Sequence, residues 1–239
     1  MVTVMAEQHV LTRSEDHTVP HGHQVGLQIG LDFINTFELE RGRPVDHLTD
    51  LETSLHWLRE HQLLHQDAVL AARERAAADP AAGERVLGRI RRVRDAMRDL
   101  VEAQADRRPP SRDHLAEINR ALRTHYVYVL VPATDGVSLD HRHEGDPIEG
   151  ALGRLVESVA REVSQGHVER LRVCANDTCR WVYFDTSRTG RRRWCDMATC
   201  GNRAKAARHR ERRRETAAEP EPPVAWRSRL LEPRSQRER

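Results

Sequence analysis

The sequence predicts a mainly α-helical protein with a small β-hairpin, built from a helical N-terminal domain and a small C-terminal hairpin–helix module of treble-clef-like layout. Apolar residues recur at helical spacing in several segments between residues 25 and 167. All four cysteines fall between residues 174 and 200, and basic residues are concentrated around them. We therefore expect two folded parts, 25–167 and 168–215, between disordered tails at 1–24 and 216–239.

The first predicted helices precede residue 80. Segment 26–39 has a helical spacing of apolar residues, namely Leu27, Leu31 and Ile34. This spacing favours a helix beginning near Gly30, although alternating polarity also permits a short strand. A second helix is predicted from the cap residue Asp50 to about Leu64. A third is predicted over 66–78 and ends at Asp79-Pro80, because the residue before a proline is pushed out of the α region.

The clearest periodicity in the chain predicts an amphipathic helix, since its apolar residues are three or four positions apart: Val86, Ile90, Val93, Met97 and Leu100. Its remaining face carries four arginines: Arg89, Arg91, Arg92 and Arg94. We interpret these arginines as a solvated face opposite a core stripe, with DNA binding as the alternative.

A helix, a hairpin and a last helix complete the N-terminal domain. Ser111 begins a helix after the Pro109-Pro110 break. Strands 126–131 and 137–139 flank Asp135-Gly136, a dipeptide typical of hairpin turns. Apolar residues at helical spacing then predict a helix that ends near Gly166: Leu152, Leu155, Val156, Val159 and Val163.

Composition and motifs exclude several classes of protein. The sequence has no run of 18 or more apolar residues, and its first 25 residues interleave charged with apolar side chains. We therefore expect neither a membrane span nor a signal peptide, and a cytoplasmic location. No phosphate-binding loop, zinc-protease or nucleophile-elbow pattern occurs, so we expect no enzyme activity.

Charge is distributed unevenly along the chain. Residues 1–169 contain 20 basic and 28 acidic side chains, a net charge of −8, whereas residues 170–215 contain 14 and 5, a net charge of +9. A dense positive block beside an acidic body is typical of a surface that binds a polyanion, most simply nucleic acid. A solvated and disordered basic stretch is the alternative.

The four cysteines have the spacing C-x4-C-x15-C-x4-C, from CANDTC to CDMATC. Two close pairs separated by a hairpin-length insert are typical of a tetrahedral four-thiolate Zn²⁺ site, here Cys174, Cys179, Cys195 and Cys200. Disulfides and buried free thiols are the alternatives. A segment of about 45 residues with so few large apolar groups needs a metal to fold, so we expect one structural zinc.

The cysteine-containing module is predicted to begin with a hairpin, 171–173 with 180–184, that presents the first two ligands. Asp196 then caps a helix whose first turns hold Cys200. That helix continues without an apolar face, so its basic side chains must meet solvent or an anion. The residues we expect to contact double-stranded DNA lie on this helix and on the loop before Cys195: Arg188, Arg191, Arg192, Arg193, Arg203, Lys205, Arg208, Arg210 and Arg212.

Two segments resemble a known family. The run from CANDTC to CDMATCGNR is similar to the CGNR zinc finger, whose name is the tetrapeptide at residues 200–203. The upstream LDFINT, residues 31–36, resembles the start of the ABATE domain, which precedes such fingers in bacterial transcription regulators described as stress-induced. The resemblance implies zinc ligation by the four cysteines and DNA binding. In our leading hypothesis the N-terminal domain serves in sensing or dimerisation.

The N-terminal domain offers one candidate ligand site. Asp32, Asn35 and Thr36 of LDFINT are candidates to line a pocket for a small-molecule effector, and the alternative is that they brace neighbouring backbone.

The leading functional hypothesis is a DNA-binding transcriptional regulator associated with the nucleoid, able to form a homodimer. The competing hypothesis is a zinc-stabilised module that binds protein or RNA without sequence-specific DNA binding.

Overall fold

A computed structural model of the protein describes residues 25–165 and 168–218. Within these ranges the helices are α1 (Leu27–Asn35), α2 (Leu51–Glu60), α3 (Gln66–Ala78), α4 (Pro80–Ala105), α5 (Arg112–Ala121), α6 (Pro147–Ser164) and α7 (Asn202–Ala218). Three antiparallel hairpins pair β1 (Phe37–Glu40) with β2 (Arg43–Asp46), β3 (His125–Ala133) with β4 (Gly136–Glu144), and β5 (Leu171–Val173) with β6 (Val182–Phe184). The mainly helical fold class is confirmed.

Most predicted helices are confirmed, with shifted ends. Helix α3 has the predicted bounds, whereas α1 begins three residues before Gly30. Asp50 caps α2 as predicted, because its carboxylate accepts the Thr53 amide at 2.7 Å. Helix α2 ends at Glu60 rather than near Leu64, since Gln62 adopts a left-handed backbone with φ of 57°.

The structure describes only a small part of the two predicted tails. Helix α7 continues to Ala218, past the predicted boundary at residue 215. The predicted tail at 1–24 and most of the tail at 216–239 lie outside the described residues. Among the helices that the structure describes, none is both long and apolar enough to cross a membrane.

The β1–β2 hairpin was not predicted. Its strands have only four residues each, and Pro44 within β2 argues against a strand in the sequence. Arg41 and Gly42 form the turn with φ of 52° and 84°, which matches the turn geometry that two-residue hairpin loops require. The hairpin places Asp46 and His47 beside the end of α1, where the His47 amide donates to the Thr36 carbonyl at 2.8 Å.

Helix α4 is the centre of the body and packs against five other helices and strand β5. Its apolar stripe is buried as predicted, including Ile90, Val93 and Met97. These residues belong to one core that also contains Leu31 and Phe33 of α1. Burial of this stripe contributes to the hydrophobic stabilisation of the body.

The prediction of a solvated arginine face on α4 is wrong for three of its four residues. Arg94 is buried and donates to both carboxylate oxygens of Asp46 at 2.6 and 2.9 Å. Arg89 forms two 2.8 Å hydrogen bonds with Glu149, and Arg91 binds the Leu48 carbonyl. Since neighbours surround α4 on most sides, its polar face meets carboxylates of the body instead of water.

The β5–β6 hairpin packs directly on the helical body. Leu171 and Val182 are fully buried in the same core as α1 and α4. The Asn35 side chain forms two hydrogen bonds with the Val182 backbone: its amide donates to the carbonyl at 2.8 Å, and its oxygen accepts from the N–H at 2.9 Å. The Gly42 amide also donates to the Thr178 carbonyl at 3.0 Å. The C-terminal module therefore completes the core of the body.

We predict that Asn35→Ala destabilises the protein by about 2–4 kcal/mol, because it leaves two buried backbone groups of Val182 without partners. Gln28→Ala is the matched control, since this exposed amide makes a single hydrogen bond, to Asp32, one helical turn away. It should change stability by less than about 0.5 kcal/mol. Urea unfolding followed by circular dichroism measures both, and equal stabilities of the two variants would contradict the assigned role of Asn35.

Candidate metal centre

The four cysteine side chains converge at the end of the β5–β6 hairpin. Cys174 follows β5, Cys179 lies in the turn before β6, and the loop after β6 leads to Cys195 and Cys200. All four sulfurs lie within 4.8 Å of one another. Cys174 and Cys200 are buried, and Cys179 and Cys195 are half-buried. The hairpin and the start of α7 thus bring all four predicted ligands into one cluster.

The sulfur separations fit a tetrahedral zinc ion. Cys195 Sγ lies 3.7 Å from Cys179 Sγ and 3.8 Å from Cys200 Sγ. Zn–S bonds of about 2.3 Å in a tetrahedron require sulfurs about 3.8 Å apart. A disulfide would need about 2.05 Å. The arrangement agrees with one structural zinc rather than with either alternative, disulfides or unrelated free thiols.

The electrostatics of the cluster also favour a cation. Burial, with a smaller contribution from the neighbouring Cys174, raises the pKa of Cys179 to about 11. Burial together with Cys174 and Cys179 likewise raises the pKa of Cys195. Four thiolates at this spacing repel one another, and a bound Zn²⁺ offsets that repulsion. The ion would be held by the four sulfurs, and a closed four-thiolate site gives it a structural role.

Asn176 organises the first pair of ligands. Its carbonyl accepts the Cys179 amide at 2.8 Å and the Arg180 amide at 3.1 Å, and its side-chain amide donates to Cys200 Sγ at 3.4 Å. Arg180 completes the turn in the left-handed region, with φ of 54°. Hydrogen bonds from Asn176 and neighbouring thiols lower the pKa of Cys200, although its burial acts in the opposite direction. Asn176 was not among the predicted site residues, although its position between the paired cysteines was an available signal.

Asp196 shapes the second pair of ligands and caps the helix start, as predicted. Its carboxylate accepts the Thr199 amide at 2.7 Å and the Thr199 hydroxyl at 2.9 Å. The following turn, Met197–Gly201, is π-helical before α7 begins. A Cβ on Gly201 would approach the Met197 sulfur to 2.7 Å, so only glycine fits here without a shift of Met197. Cys200 lies in this turn, directly before the start of α7.

Asp185 organises the loop between β6 and Cys195. It is buried, and it accepts the backbone amides of Ser187 at 2.9 Å and Arg192 at 2.8 Å. Burial alone would raise the pKa of Asp185, but these hydrogen bonds lower it, so the group stays ionised. The Tyr183 hydroxyl donates to the Arg192 carbonyl at 2.7 Å. The loop therefore has a fixed course into the metal site.

Arg192 differs from the other predicted DNA contacts. Its guanidinium lies 4.8 Å from the centre of the Tyr183 ring, donates to the Trp194 carbonyl at 2.8 Å, and also contacts the Cys195 carbonyl. These contacts all lie within the finger, because the long Arg192 side chain folds back over the loop that carries Cys195. We therefore exclude Arg192 from the set of residues proposed to contact DNA.

The other basic residues near the site divide into internal and exposed groups. Arg170 and Arg172 donate to carbonyls of the 185–190 loop, and Arg180 pairs with Glu102. The remaining predicted DNA contacts are exposed: Arg188, Arg191, Arg193, Arg203, Lys205, Arg208, Arg210 and Arg212. Helix α7 has no buried side chain among residues 202–214. The exposed basic surface therefore consists of α7 and the loop before Cys195.

The candidate pocket residues of LDFINT have partners within the protein. Asn35 binds the Val182 backbone, and the buried Thr36 hydroxyl donates to the Phe33 carbonyl at 2.7 Å and accepts from Arg94 at 3.2 Å. Asp32 is half-buried and accepts a hydrogen bond from Gln28. These contacts agree with the bracing alternative for Asn35 and Thr36.

Comparison with known families finds two matches along the chain. A family described as "CGNR zinc finger" matches residues 170–213 and includes all four cysteines. A second family, ABATE, described as "Putative stress-induced transcription regulator", matches residues 27–166, which is more than half of the chain. No curated protein matches the sequence.

We predict about one zinc per chain, and a weaker site in Asn176→Ala. Loss of the hydrogen bond from Asn176 to Cys200 should lower zinc affinity about 10- to 100-fold, as is typical when a partner of a metal ligand is removed. Asp177→Ala is the matched control, because Asp177 is exposed and adjacent. Competition with a chromophoric chelator measures both affinities. An unchanged affinity in Asn176→Ala, or protein purified under reducing conditions without zinc, would contradict this assignment.

Proposed function

The chain belongs to the ABATE family of transcription regulators and carries a CGNR zinc finger, and from this premise we propose that it binds double-stranded DNA through the finger. The observation that carries the proposal is the exposure of the basic side chains of α7 and of the preceding loop. An exposed basic surface gains most from a polyanion, since phosphate binding releases condensed counterions.

The metal site supports the proposal by joining the two basic segments. The loop that carries Arg188, Arg191 and Arg193 ends at Cys195, and α7 begins two residues after Cys200. Since the sulfurs of these two cysteines are 3.8 Å apart, both segments start from one fixed point. Helix α7 has 17 residues, none of them buried among 202–214, and is long enough to occupy a major groove.

Charge separation gives the bound complex an orientation. The body, residues 1–169, has a net charge of −8, so DNA phosphates would be repelled by it and attracted to the finger. Most exposed arginines are then expected to contact phosphates, and one or two on α7 to reach guanine edges. DNA binding would place the protein at the nucleoid in the cytoplasm.

The body is proposed to regulate the finger through the interface that they share. Asn35 and Gly42 bind the backbone of the finger directly, and Arg98 donates to the Ile34 and Arg180 carbonyls, one on each side. A small-molecule effector that shifts the end of α1 would therefore move β6 and the metal site with it. Asp32 is the residue of the predicted effector site that retains solvent access.

An interaction module for RNA or acidic protein is the second candidate. Phosphate contacts carry no sequence information, and an exposed arginine helix also suits single-stranded RNA or an acidic peptide. Base-specific discrimination on duplex DNA separates the two candidates.

We predict that duplex binding weakens steeply with salt, with a log-log slope of about −0.9 per phosphate neutralised. Arg208→Ala and Arg203→Ala should each flatten the slope by about one unit if the side chain contacts backbone alone. A base-reading arginine would instead lose about 1–3 kcal/mol of discrimination at one base pair. Arg92→Ala is the control, because Arg92 is an exposed arginine on the acidic body.

Fluorescence anisotropy with labelled duplexes over a range of salt concentrations measures these slopes. Each variant is first checked for zinc content, so that a failed finger is distinguished from a lost contact. Zinc-loaded protein that binds duplex DNA no more tightly than heparin, or that prefers single-stranded RNA or polyglutamate, would refute DNA regulation and support the interaction module.

A further inference from the structure

The β3–β4 hairpin presents an apolar face to solvent. Leu130 lies opposite Leu139 across the two strands, and Val137 lies opposite Pro132. Tyr128 is two residues before Leu130 and projects to the same side. We define the hairpin face as Tyr128, Leu130, Val137 and Leu139, which are 74%, 69%, 70% and 60% exposed. This face holds four of the seven large hydrophobic residues that are exposed within 25–165 and 168–218.

The length of the β3–β4 hairpin is a reason to expect that another surface packs against its apolar face. Both strands have nine residues, and they stay paired out to the turn, where Ala133 lies opposite Gly136. A two-stranded hairpin alone is marginally stable in water, and it usually needs an apolar face packed on another element. Val127, Val129 and Val131, on the other side of β3, are half-buried. Within the described residues, Leu130, Val137 and Leu139 on the hairpin face are far more exposed than these three valines.

We propose that the hairpin faces of two copies of this chain pack against each other in a homodimer. None of these four side chains is charged, so the surface that covers them must be apolar and of similar size. Within the described residues of this chain, the hairpin face is the place where exposed large apolar side chains cluster. A two-fold axis places the hairpin face of one copy against the same face of the other copy, so that both faces are buried.

The area of the face suits a dimer. Fully exposed Leu, Val and Tyr side chains present on the order of 100 to 200 Å² each. The exposed fractions therefore leave about 400 Å² of apolar surface on each copy. A standard interface buries about 800 Å² per partner, of which roughly 60% is apolar. The hairpin face thus supplies most of the apolar centre, and the adjoining strand edges would supply the polar rim.

This proposal does not depend on DNA binding, because it concerns a surface at a different hairpin from the metal site. If both hold, the dimer presents two fingers, and the DNA would contain two half-sites whose spacing reflects the two-fold axis. An apolar face on a long hairpin would also be an aggregation hazard in a monomer. Dimerisation removes that hazard.

Sedimentation velocity of the zinc-loaded full chain over a range of concentrations tests the proposal. The wild-type protein should sediment as a dimer of two 27.5 kDa chains. Leu130→Glu, at the centre of the face, should raise the dissociation constant by at least about thirtyfold, as expected for an interface hot spot. Leu70→Glu is the matched control, because Leu70 is 44% exposed on α3, away from the hairpin, and should leave the dimer unchanged.

Val137→Lys is the second variant, placed beside the turn, where a change disturbs folding least. Circular dichroism and zinc content confirm that each variant is folded, and Val137→Lys should also dissociate the dimer. A wild-type protein that stays monomeric at all concentrations would overturn the proposal, as would a dimer that both variants leave intact. A monomer whose hairpin face binds a hydrophobic dye only after removal of residues 219–239 would overturn it too, since the chain's own tail would then be the cover.

Discussion

The β5–β6 hairpin packs on two cores at once, and the rest of the structure depends on this arrangement. Side chains alternate along a strand, so Val182 and Phe184 face the core of the helical body, whereas Trp181 and Tyr183 pack around the cysteine cluster. On the other strand, Leu171 of β5 is buried in the core of the body, and Cys174, the residue after β5, is buried at the metal site. A strand too short to be stable alone is thereby fixed from both sides.

Several arginines have a structural role, because their partners lie inside the protein. Arg89 and Arg94 of α4 pair with carboxylates inside the body, and Arg192 folds back onto the finger. Their charges are therefore compensated within the protein. The basic side chains of α7 and of the loop before Cys195 are exposed, so the finger keeps an accessible basic surface beside an acidic body.

Local signals in the sequence predicted the local parts of the fold and of the metal site. The caps at Asp50 and Asp196, the end of α3 before Pro80 and the four ligands each depend on residues close together in the chain. The contacts that sequence reasoning missed span long separations or break a local rule. Asn35 and Val182 are 147 positions apart, and β2 contains a proline. Periodicity located the polar face of α4 correctly, but it carries no information on which carboxylates the fold brings there.

Hydrogen exchange with and without zinc tests most directly whether the metal site and the body form one folding unit. Because β5 and β6 belong to the core of the body, removing zinc with a chelator should accelerate amide exchange in the finger and also in α1 and α4. Exchange in α5, which packs on α4 from elsewhere in the body, should change less. Acceleration confined to residues 174–203, with α1 and α4 unchanged, would contradict the account and leave the finger as an independent module.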